Sequence, residues 1–201
     1  MSAAWFRAAH PAPDVGVCLG MRLRPYCLGH EFLLQLQDSA LARDNIDLDA
    51  VADPIRTLQE VALAVLICSQ TYEAGLKSLR SSFTTRFVLR AWSWLLRRRR
   101  LSIPSALITF AQYRQSGLWF PETNRPAHGR ALGSPWQFRM LGCLMNFFRY
   151  TESEALNMPL SKASALYASW LDHEGNISLW TEQDEVLFDK LEKMEAEGKW
   201  D

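Results

Sequence analysis

The chain has 201 residues, enough for one ordinary domain with a core of its own, and its composition of 48% hydrophobic and 22% charged residues excludes disorder throughout. Its longest apolar run, residues 61–68, is far short of the roughly twenty residues that a membrane span needs, and the start MSAAWFRAAHPAP lacks a signal core with a cleavage site. The formal charge is zero through cancellation: residues 1–75 carry 5 basic and 9 acidic side chains, residues 76–150 carry 13 and 1, and residues 151–201 carry 4 and 12.

Residues 1–20 hold two prolines and two glycines without a sustained period and read as an N-terminal arm, with one short extended piece at 15–19. Residues 21–201 read as a single helical domain. After Arg24-Pro25, Leu28, Phe32, Leu33 and Leu36 stand at helical spacing and predict a first helix of three to four turns. Asp53-Pro54 opens a second, in which Leu58, Val61, Ala62, Val65 and Leu66 recur at i, i+3 and i+4, and which is expected to run to Tyr72 or Gly75. Apolar residues at 61–68 wrap most of its circumference, which assigns it a central, buried position.

A third helix is predicted over residues 84–99, with Phe87, Arg90, Ala91, Trp94 and Leu95 on one side, ending in Arg97, Arg98, Arg99 and Arg100. Ser102-Ile103-Pro104 restarts the chain, and Leu107, Phe110, Ala111 and Arg114 mark a fourth helix stopped by Ser116-Gly117. Residues 118–133, with two prolines and two glycines, form the one long loop and the expected mobile or partner-binding segment. Ser134-Pro135 reads as N-cap and first position of a fifth helix with Phe138, Leu141, Met145 and Phe148 near one face. Thr151 and Glu154 form a capping box for a short sixth helix ended by Met158-Pro159. Pro159 leads the next, whose apolar face is Ala163, Leu166, Tyr167, Trp170 and Leu171 and which Gly175-Asn176 ends. An acidic C-terminal helix closes the chain over 181–198, with Val186, Leu187, Leu191 and Met194 as its stripe. No strand-period run of useful length appears. The expected fold is mainly α, an irregular bundle of six to eight helices.

Chemical signatures are sparse. His10, His30, His128 and His173 are scattered and form no H-E-x-x-H, so each reads as a surface or capping residue. Asp172-His173-Glu174 reads as a solvated helix end. Cys18, Cys27, Cys68 and Cys143 have neither zinc-knuckle nor disulfide-framework spacing, and Cys68 and Cys143 sit in apolar stretches as small buried hydrophobes. No phosphate-binding glycine loop is present, and the reading assigns no catalytic, cofactor or metal residue.

The arginine run at 97–100 is the strongest chemical feature, since arginines beside Trp92 and Trp94 can contact phosphate and stack on bases. Trp92 and Trp94 diverge by about 200° on a helix, and no recognised binding motif frames them. Pairing with the acidic C-terminal helix or a protein partner is preferred to nucleic acid. Trp119 and Phe120 in the long loop are either an exposed anchor for another protein or folded onto the core.

Taken together, LRPYCLGH at 23–30, ALAVLICS at 62–69, the tryptophan-and-arginine stretch, Ser134-Pro135-Trp136, EALNMP at 154–159, ALYASW at 165–170 and the acidic tail form a layout. Over residues 22–198 it resembles the small helical tail-module proteins of tailed phages and prophages, the tail assembly chaperones. The resemblance implies a non-enzymatic protein of the bacterial host cytoplasm, without cofactor. Such a protein holds the tape-measure protein or tail-tube subunits until the tube polymerises, through an apolar groove that captures a helix. A structural component retained in the virion and a nucleic-acid-binding helical protein are the alternatives, and self-association is a further partner choice.

Overall fold

A computed structural model describes residues 16–42, 54–81, 90, 103–118, 120–121, 134–175, 177 and 190. The first described element is a small hairpin, β1 (Val17–Cys18) paired antiparallel with β2 (Met21–Arg22), Val17 facing Arg22 and Cys18 facing Met21. Leu19 and Gly20 both take positive φ (51° and 79°), the requirement of a two-residue type I′ turn. The sequence reading foresaw one extended piece at this place; the returning strand is too short to show a period.

Seven α-helices follow among the described residues: α1 (Leu28–Leu36), α2 (Pro54–Cys68), α3 (Tyr72–Arg80), α4 (Ile103–Gly117), α5 (Trp136–Asn146), α6 (Glu152–Asn157) and α7 (Leu160–His173), with a 3-10 turn at Ala40–Ala42. The fold is mainly helical, as expected, and α1 packs against α2, α3, α5 and α6, while α2 packs against α3 and α4 and α5 lies on α6 and α7. The core centres on α2, where Val61, Ala62, Ala64, Val65, Leu66, Ile67 and Cys68 are all buried. The expected burial of most of its circumference over residues 61–68 is therefore observed, with Leu63 half-buried.

Four local expectations change. Helix α1 is about a turn shorter than predicted, because Gln37 caps it and Asp38 turns left-handed at φ 47°. Its Leu36, expected in the core, is exposed. Helix α2 ends at Cys68 instead of Tyr72 or Gly75, since Thr71 starts α3 by accepting a hydrogen bond from Ala74 N at 3.4 Å. A second cap comes from α6, whose Asn157 Oδ1 accepts from Tyr72 N at 2.9 Å. Pro135 is the N-cap of α5, with extended ψ of 145°, so helical geometry begins at Trp136. Fourth, the face that α5 buries is that of Gln137, Met140, Cys143 and Leu144, whereas of the predicted stripe Phe138 and Met145 are exposed and Leu141 and Phe148 are half-buried. Two apolar stripes run along this helix, and the buried one includes a glutamine that concealed it.

The capping box of α6 is as predicted: Thr151 N donates to Glu154 Oε2 at 2.9 Å and Glu154 N to Thr151 Oγ1 at 3.3 Å. The extended chain before α1 ties three regions together. Arg24 N donates to Cys68 O at 2.9 Å, Tyr113 Oη to Arg24 O at 2.8 Å, and Leu160 N to Tyr26 O at 2.7 Å. Cys27 bridges Pro159 in antiparallel fashion. The predicted third helix and the C-terminal helix lie outside the described residues, apart from Arg90 and Lys190, each helical and exposed.

Candidate functional site

Of the residues singled out by sequence, Arg97, Arg98, Arg99, Arg100 and Trp119 lie outside the described residues, as do His10 and His128. Phe120 is described and is 47% exposed, beside a buried Pro121. His173 is exposed at the end of α7, its ring centroid 6.1 Å from that of Phe147, so this terminus is solvated as expected. Cys68 and Cys143 are buried as predicted, and Cys18 and Cys27 are buried too.

His30 is the histidine whose surface alternative fails. It is buried at the third position of α1 and closes a capping box: Cys27 N donates to its Nδ1 at 3.3 Å, while Nε2 lies 2.9 Å from Gln70 O. With Nδ1 accepting, Nε2 carries the proton and donates, so the ring is neutral and both nitrogens are used. Burial pushes its pKa down to about 4, with the Arg24 charge contributing in the same direction and the Gln70 carbonyl opposing.

At the next residue lies a polar network that sequence reasoning missed. Glu31 is buried on the inner face of α1, and Tyr26 Oη donates to its Oε2 at 2.5 Å, Gln35 Nε2 to its Oε1 at 2.9 Å. Arg114 of α4, counted from sequence only as one position on a helical face, places Nη2 3.4 Å from both carboxylate oxygens and 2.8 Å from Ala42 O. Burial works against the Arg114 charge, yet the Glu31 carboxylate beside it holds its pKa above the ordinary value. Tyr26 is pushed well above the usual tyrosine range by burial and then by Glu31, so its hydroxyl stays protonated as a donor. The network joins α1, the 3-10 turn and α4 beneath the surface; with the Arg114 and Glu31 side chains 5% and 1% exposed, its chemistry is that of positioning.

The thiols are held in their neutral form: burial raises Cys18 and Cys143 to about 11 and Cys27 to about 12. No group of three or more His, Cys, Asp or Glu among the described residues is arranged to hold a metal, and no described helix is long and apolar enough to cross a membrane. A recess of about 160 Å³ between α1 and α2 is bordered by Leu34, Gln37, Asp38, Ser39, Glu60 and Leu63.

The surface offers a clearer feature. Along α5, Phe138 and Met145 are seven residues apart and share one face, with Leu141 at its edge. Phe138 is 59% exposed while its ring meets Phe32 of α1 edge-on at 4.9 Å, and Leu36, one helical turn beyond Phe32, is 67% exposed. This is an outward apolar ridge anchored on the core by Phe32 and Leu141, both packed against it. The signal for it in the sequence is the Phe138, Leu141 and Met145 spacing itself, which marks one face of the helix without saying whether that face is buried. Comparison with protein-family models, with curated proteins and with solved structures found no match.

Proposed function

We propose that this chain is a non-enzymatic interaction protein of phage tail assembly, chaperone-like, which holds tape-measure or tail-tube subunits in the host cytoplasm through its α5 ridge. The observation that supports this reading is the exposure of Phe138 and Met145 on one helical face, with Leu36 of α1 exposed as well. An apolar stripe that faces water on a helix whose opposite side is already packed into the core is suited to receive the apolar face of a partner helix. The sequence resemblance supplies the partner class. Polar chemistry is in keeping with it, because the charged pair and the histidine of α1 are consumed in internal hydrogen bonds.

The test is a pull-down of the tagged chain from cells expressing its gene neighbourhood, analysed by mass spectrometry at low and high salt. A tape-measure or tail-tube protein retained at high salt is the expected result, since apolar contacts survive screening. Nucleic acid that is lost as salt rises, with no tail protein, overturns the proposal and moves the function to Arg97, Arg98, Arg99 and Arg100. Stoichiometric recovery in purified particles identifies a structural virion component instead.

A further inference from the structure

We draw no further inference here: the strongest candidate, the exposed apolar ridge of Phe138 and Met145 on α5, is the surface already described, and nothing in the structure shows what else covers it.

Discussion

Arg114 and Glu31, 83 positions apart in sequence, meet with both side chains buried, the guanidinium Nη2 lying 3.4 Å from each carboxylate oxygen. Removing one partner strands the other charge in a buried site. Arg114→Met is therefore expected to lower stability by about 3–5 kcal/mol. The double variant Glu31→Leu with Arg114→Met removes both charges and is expected to recover a large part of that loss. Urea denaturation of the four proteins in this cycle measures the coupling; additive single effects would show that the two charges do not depend on each other.

The neutral His30 sets a pH dependence with a defined sign. In the unfolded chain its ring takes a proton below about 6.5, whereas in the folded protein burial delays this to about 4. Between those values the unfolded state binds more protons, so stability is full above pH 6.5 and falls as the pH drops towards 4, by about 3 kcal/mol in all. Glu73 and Glu154 are held below the ordinary carboxylate value by hydrogen bonds from Ser153 and Thr151, and their contribution is lost only at pH below 4.5. Urea midpoints at pH 7, 6 and 5 are expected to decline for the wild type and to flatten for His30→Asn, which has no proton to gain. Equal slopes for the two proteins would assign the decline to other groups.

Close backbone approaches at α1 and α4 and open space at α5 make opposite predictions for glycine. A Cβ on Gly29 would stand 2.8 Å from Leu156 O and from Tyr72 Cβ, and one on Gly117 would stand 2.5 Å from Tyr26 Cβ. Both neighbours are fixed close to the backbone, so Gly29→Ala and Gly117→Ala are expected to destabilise by about 1–3 kcal/mol. Gly142 lies inside α5 with nothing within 4 Å of a Cβ, and Gly142→Ala is expected to stabilise by about 0.5–1 kcal/mol through helix propensity. Thermal melts distinguish the two signs.

The helices were legible where a cap or stop is local. Thr151 and Glu154 announced α6, and the unbroken apolar run at 61–68 announced the buried α2. The end of α2 was not legible because apolar periodicity runs on past Cys68, while the break depends on Thr71 together with Asn157, 85 positions from the Tyr72 amide it accepts from. Glu31 and Arg114 escaped notice for the same reason: each is an ordinary surface residue type until a distant partner makes its burial tolerable. On α5 only the Phe138, Leu141 and Met145 stripe was legible, because Gln137 interrupts the other, and packing against α7 and α6 buries Gln137 in preference to Phe138.

Thiol chemistry offers a readout of folding. All four cysteines are buried and free, and the protonated form of each is favoured by burial. Since the thiolate is the attacking species, a disulfide reagent is expected to label the native protein only as fast as it opens. In denaturant four thiols per chain should react at once. Immediate labelling of one or more cysteines in buffer would show that a core segment opens without global unfolding.

The α5 ridge separates binding from stability. Met145 is 37% exposed near the end of its helix, and Phe138 meets Phe32 edge-on while remaining 59% exposed. Met145→Lys keeps an unbranched aliphatic stem that can cover the same surface while its head reaches water, and adds a cation near a helix C-terminus, where the terminal carbonyls favour positive charge. Its stability is expected within about 0.5 kcal/mol of wild type. Phe138→Ser gives up the edge-on aromatic contact and is expected to cost about 0.5–1.5 kcal/mol. If the ridge holds a partner helix, recovery of the tail protein in the pull-down should fall at least tenfold for Met145→Lys with Phe138→Ser while circular dichroism and the melting curve still report a folded chain. Undiminished recovery by that folded double variant would place the partner elsewhere, and the exposed Phe120 would be the next residue to replace.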